Sequence, residues 1–189
     1  MATDDTSRNG IRVVVLSGLS GAGKTVALRA FEDLGFYCVD NLPTALLPSL
    51  YRAVVDGGRE TPSGLAVGVD VRNRGDLERL PEALSGLAEA GADAELVFLE
   101  SSDEVLLKRY ASSRRRHPLS ESGRSLVDAI AEERRRLRPL LAIANRSIDT
   151  SDSNVHQLRR RIATDFGATS GGLTLMFESF AYGRGLPPD

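Results

Sequence analysis

A parallel five-stranded α/β fold, with helices on both faces of the sheet, is predicted by three features of the sequence. From Ile11 onward, apolar runs alternate with amphipathic stretches, the pattern of a βα-repeating sheet. The first run, residues 13–16, is continuous and mostly β-branched, as a strand covered on both faces must be. A glycine-rich turn follows it directly and opens an amphipathic stretch, so strand, turn and helix come in one unbroken series.

The elements then follow in order. The first helix runs to about Leu34, with Gly35 as its C-cap. Residues 36–39 form a second short strand leading into Asp40-Asn41-Leu42-Pro43, and Pro43 suits the first position of a helix carrying Leu46, Leu47 and Leu50. The third strand is expected over 65–71. A helix over 76–90 follows, with Leu77, Leu80, Leu84 and Leu87 on one face and Gly91 closing it. The fourth strand is 96–99, and Asp103 caps a helix with Val105, Leu106 and Tyr110 inward. A basic, serine-rich loop (112–124) leads to a long helix (125–144). A fifth strand (147–149) and a last helix, opened by Ser153 and ending near Phe166, complete the set.

This places one domain over residues 11–166, after a polar tail at 1–10 expected to be disordered. Residues 167–172 contain only Gly, Ala, Thr and Ser and read as a linker. Residues 173–180 have strand chemistry without a partner, so 173–189 is expected to be the start of a truncated second domain.

Composition narrows the function classes. There are 24 basic and 26 acidic residues, so the net charge of −2 excludes a global polycation, and any nucleic-acid contact needs a local patch. A single cysteine, Cys38, cannot form an internal disulfide and fits a reducing compartment. No run approaches the ~18 apolar residues of a membrane span. The polar start carries Asp4 and Asp5, unlike a targeting peptide, so a cytoplasmic location without membrane association is expected.

The chemistry is concentrated in the glycine-rich turn. Gly18, Leu19, Ser20, Gly21, Ala22, Gly23, Lys24 and Thr25 match G-x-x-x-x-G-K-[ST] between a buried strand and a helix. Glycines let the backbone wrap so that several N–H groups point at one anion, and the helix N-terminus adds its dipole. Lys24, one of only two lysines in the chain, should reach the β and γ phosphates of a nucleoside triphosphate, and the Thr25 hydroxyl should hold Mg²⁺. The acidic residue that completes the metal's shell is expected at the tip of a neighbouring strand. Asp70 and Asp40 are the candidates, with Glu100 a third.

Arg109, Arg114, Arg115, Arg116 and His117 cluster before Pro118. Two readings stand: a mobile lid whose guanidiniums, Arg115 foremost, neutralise transferring phosphates, or a solvated basic helix end. Residues 134–136 and 159–161 read as surface arginines paired with Glu132, Glu133 or solvent. Base recognition is not set by motif. Asn-Lys-x-Asp is missing, and residues 145–149 (Asn-Arg-Ser-Ile-Asp) mimic it poorly.

The run from Val15 to Thr25, the block Leu34-Gly35-Phe36-Tyr37-Cys38-Val39-Asp40-Asn41-Leu42-Pro43, and Asp70-Val71-Arg72-Asn73 together resemble the RapZ/YvcJ family of P-loop nucleotide-binding proteins. Arg114-Arg115-Arg116-His117-Pro118-Leu119 and Ile148-Asp149-Thr150-Ser151 extend the resemblance in family order. It implies a P-loop kinase-like sheet and slow hydrolysis of both ATP and GTP. It also implies ATP binding at residues 18–25 and GTP binding at Asp70, Val71, Arg72 and Asn73. Family members carry a further domain, through which the resemblance implies an RNA and a ribonuclease partner. An oligomer is compatible with it. The competing reading from the residues alone is a small-molecule kinase, since a strand-end Asp and a basic lid are what such an enzyme needs.

Overall fold

The computed structural model describes residues 11–57, 62–69, 74–113, 115–120 and 123–167. The expected tail at 1–10, most of the linker and the expected second-domain start at 173–189 lie outside them. The described elements are β1 (Arg12–Gly18), α1 (Lys24–Asp33), β2 (Phe36–Val39), a 3₁₀ turn (Thr44–Leu46), α2 (Leu47–Asp56), β3 (Gly64–Gly68), α3 (Arg74–Glu89), β4 (Asp93–Glu100), α4 (Asp103–Ser113), α5 (Leu126–Ile143), β5 (Arg146–Asp149) and α6 (Val155–Phe166).

All five strands are parallel, in the order β2-β3-β1-β4-β5. Val15 at the centre pairs with Val67 on one side and Leu96 on the other. Val13, Val14, Val15 and Leu16 are all fully buried. Successive residues of a strand face opposite ways, so both faces of β1 are covered, which is why its sequence is a continuous apolar run. The helices pack in pairs, α1 with α6, α2 with α3 and α4 with α5. Phe31 anchors one of these layers, edge-on to Phe36 at 5.0 Å and to Phe166 at 4.9 Å between ring centres.

The connections fix where a ligand can sit. From β1 the chain moves to the β3/β2 side, whereas from β4 it moves outward to β5. The loops leaving the C-terminal ends of β1 and β4 therefore diverge and open a crevice, the place where sheets of this kind bind ligands.

Four local expectations are corrected. Pro43 does not begin a helix. Its backbone is extended (φ −58°, ψ 132°) and it precedes the 3₁₀ turn, so α2 starts at Leu47 with Pro48 in its first turn. Leu46 consequently points outward, 49% exposed, while Leu47 and Tyr51 carry the buried face. β3 ends at Gly68, short of the expected 71. The cap of α4 is Ser102, whose Oγ accepts from the Val105 N–H at 3.4 Å, and Asp103 instead pairs with Arg134. The cap of α6 lies one residue beyond Ser153, at Asn154, whose capping box with Gln157 satisfies two end groups reciprocally.

Cys38 behaves as a small apolar residue. Burial, with the Glu32 carboxylate adding, pushes its thiol up to about 11, and its Sγ donates to the Leu28 carbonyl at 3.3 Å. Among the described residues, no helix is long and apolar enough to cross a membrane.

Candidate functional site

The loop between β1 and α1 is built by its glycines. Gly18, Gly21 and Gly23 have φ of 137°, 89° and 106°, in the region L side chains avoid. The turn closes on itself through the Ala22 N–H to the Leu19 carbonyl, and it is tied to β4 through the Leu19 N–H to the Leu99 carbonyl, both at 3.0 Å. At Gly23, the N-cap of α1, no side chain caps the helix, and its first turn holds no acidic residue. The positive end of the helix dipole thus suits an external anion. Lys24 lies across this cradle, its ammonium donating to the Gly18 carbonyl at 2.5 Å.

A cleft of about 700 Å³ opens over the loop. It is lined by Ser20, Gly21, Gly23, Lys24 and Thr25 of the loop and first helical turn, by Asp40 and Asn41 beyond β2, and by Arg115, Arg116 and Pro118. Leu19 also lines it, whereas the Ala22 side chain is buried beneath. Of the strand-end acids, Asp40 is therefore in the cleft, exposed, with its Oδ1 accepting from the Asn41 N–H at 2.9 Å. Glu100 accepts from Ser147 Oγ at 2.8 Å and does not line the cleft. Asp70, Val71, Arg72 and Asn73 lie outside the described residues. No group of three or more metal-binding side chains occurs among the described residues. Mg²⁺ needs none: it takes one or two protein oxygens and draws the rest from phosphates and water. The Thr25 hydroxyl and Asp40 carboxylate, hard oxygen donors on one cleft, fit that demand.

The basic cluster divides. Arg115 and Arg116 are exposed at the cleft, and among the described residues no carboxylate pairs with them. Arg114 lies outside the described residues. Arg109 is a brace: its guanidinium donates to the Gly21 carbonyl at 2.9 Å and to the Thr150 carbonyl at 2.6 Å, locking the phosphate loop to the end of β5. Burial lowers its pKa from the usual arginine range, with Asp149 opposing. Thr150 Oγ1, also buried, sits 2.9 Å from the Ala22 carbonyl in the same junction.

His117 and Glu133 are the residues whose place the sequence hid. Both side chains are fully buried, with His117 Nε2 3.1 Å from Glu133 Oε2. The Glu133 carboxylate accepts from the Ser20 N–H at 2.9 Å and from Ser20 Oγ at 2.6 Å. Of the partners the sequence offers residues 134–136, Glu133 is thus not one, because its carboxylate is taken up by the phosphate loop and His117. Its neighbour Glu132 does hold Arg135 and Arg136. A signal was present: Ile130, Glu133, Leu137 and Leu140 share the buried stripe of α5, and an acid on an apolar stripe needs a partner. Asn145 is likewise a framework residue, its Oδ1 accepting from the Leu96 N–H at 2.7 Å.

Comparison with known proteins agrees with this frame. The tunicamycin resistance protein of Deinococcus radiodurans superposes over 84% of this chain and 97% of its own, with a TM-score of 0.53 and 18% identity. Shikimate kinase of Bacteroides thetaiotaomicron does so over 82% and 97%, with a TM-score of 0.51 and 14% identity. At those identities the likeness is one of fold, a P-loop kinase-like sheet. A protein of Xanthomonas campestris named as nucleotide-binding is 53% identical over 177 residues, 93% of this chain and 63% of its own length. One of Stenotrophomonas maltophilia, named likewise, is 53% identical over 181 residues, 94% of this chain and 61% of its own. The chain thus spans about three-fifths of the length of these curated relatives. The RapZ-like N-terminal domain matches residues 11–170, all of the sheet and every element around the cleft, and the chain belongs to that family.

Proposed function

We propose that this chain binds nucleoside triphosphates, ATP and GTP, with Mg²⁺ and hydrolyses them slowly, so that occupancy of the cleft serves as a regulatory signal. The observation that carries this reading is the convergence of one cleft on phosphate chemistry. An uncapped helix N-terminus, Lys24, and two arginines without carboxylate partners among the described residues face it together. Lys24 would hold the β and γ phosphates, with Thr25 and a strand-end aspartate holding the metal and Arg115 the charge that develops on the transferred group. Asp70 to Asn73 would add guanine-nucleotide contacts, as the family resemblance implies. In longer relatives a further domain would use this signal, and an RNA with its ribonuclease is the partner class the resemblance suggests. The protein would then act in the cytoplasm as an adapter.

A kinase reading is favoured by one observation. Asp40 and Asn41 line the same cleft as Lys24 and offer polar groups to a phosphoryl acceptor. The two readings separate on phosphate release: free phosphate without added acceptor supports slow hydrolysis, and acceptor-dependent ADP formation supports a kinase. The metal role separates in the same assay. Asp70→Asn is expected to lower turnover more than nucleotide affinity, because the metal matters most as charge develops. Unchanged turnover in Asp70→Asn with an inactive Asp40→Asn would assign the role to Asp40.

A further inference from the structure

The Ser20–Glu133–His117 contact joins three separate segments: the phosphate loop, α5 and the stretch that carries Arg115 and Arg116. Its hydrogens are fully accounted for. The Leu119 N–H donates to His117 Nδ1 at 3.1 Å, so the ring proton lies on Nε2 and donates to Glu133 Oε2. The same carboxylate takes both donors of Ser20. The His117 ring also lies 5.2 Å from that of Tyr110, and its carbonyl accepts from Ser120 Oγ at 2.6 Å. A buried polar network costs desolvation that an apolar pair of the same shape would avoid, so cohesion alone is a poor account of it. It does fix a distance. Arg116 and Arg115 directly precede His117, and one residue of backbone spans only about 3.8 Å. Glu133 therefore sets how far the backbone of Arg115 and Arg116 stands from Ser20 in the phosphate loop.

We propose that Glu133 is a positioning residue that couples the phosphate loop to the arginine segment, acting through Ser20 and His117 to place Arg115 and Arg116 over the terminal phosphate of a bound triphosphate. This rests on the phosphate-loop reading above. Its signature is selective: the network governs discrimination of triphosphate from diphosphate, because only the triphosphate extends to the arginines.

The test is a cycle read as the ratio of ATP to ADP affinity by calorimetry with Mg²⁺, alongside thermal denaturation. Arg115→Ala/Arg116→Ala is expected to lower the ratio about tenfold, and Glu133→Leu about fivefold. The combined variant should fall no lower than the arginine pair alone, within about twofold. Glu133→Gln should restore the ratio. Its amide oxygen can accept from the Ser20 N–H and from His117, while its amide N–H donates to Ser20 Oγ. If Glu133→Leu does not fold, His117→Phe, which keeps the ring beside Tyr110 and deletes both nitrogens, enters the same cycle. Multiplying losses in the combined variant, or an unchanged ratio in the folded Glu133→Leu or His117→Phe variant, would overturn the coupling. Lys24→Ala separates the two levels. If it lowers both affinities while Glu133→Leu leaves the ratio intact, the coupling alone fails. If it changes neither affinity, the phosphate-loop reading fails and the coupling with it.

Discussion

Lys24→Ala is expected to keep the fold and to weaken triphosphate binding tenfold or more. The side chain is half-buried and lies over the phosphate loop, where its ammonium donates to the Gly18 carbonyl. Truncation removes that internal hydrogen bond and, in the complex, a charge-assisted contact worth about 1.5–3 kcal/mol, which converts to at least a tenfold loss. The melting temperature should move by only a few degrees. Equal ATP affinity for variant and parent, measured by calorimetry, would remove the loop from the binding site.

Gly18→Ala is expected to do the reverse and break the scaffold. Gly18 ends β1 with φ at 137°, and a Cβ there would be driven into the Leu99 carbonyl of the neighbouring central strand β4. That neighbour is sheet backbone and cannot swing aside. The cost should be roughly 3 kcal/mol or more, or a fall of about 6–12 °C in melting temperature for a chain of this size. Gly91→Ala is the comparison. Its φ is also positive, at 86°, but nothing lies within 4 Å of the added carbon, so only the ~1–2 kcal/mol of left-handed strain applies. A Gly18→Ala protein melting within 2 °C of the parent would show that the strand end relaxes easily.

The fold and half of the site were legible in the sequence for the same reason: their causes are local. Residues 13–16 show a doubly covered strand because four consecutive apolar side chains must face both ways. The phosphate loop announces itself because positive φ demands glycine at fixed spacings and the chemistry demands Lys24 and Thr25 next to them. Pro43 misled because proline marks the entry to a helix and the corner before it equally well. The framework roles of Arg109, His117 and Glu133 were hidden because they are non-local. Arg109 meets Gly21 across 88 residues and Glu133 meets Ser20 across 113. In sequence, the apolar stripe of α5 singles out Glu133 over Glu132 as the inward acid but names no partner for it. The helix turns Glu132 toward arginines on the surface and Glu133 into the core, and only the packed structure shows that the inward one meets Ser20 and His117.

The central claim is that the phosphate loop and the Arg115–Arg116 segment form one nucleotide site. It is tested most directly by the rate of trypsin cleavage after Arg115 and Arg116, with the fragments assigned by mass. Arg115 and Arg116 are exposed in the free protein, so the bonds after them should be cut there and several-fold more slowly when an ATP analogue with Mg²⁺ covers them. In Lys24→Ala the protection should vanish at nucleotide levels that saturate only the parent. Equal cleavage of the parent with and without nucleotide would contradict the account and leave those arginines as surface charge.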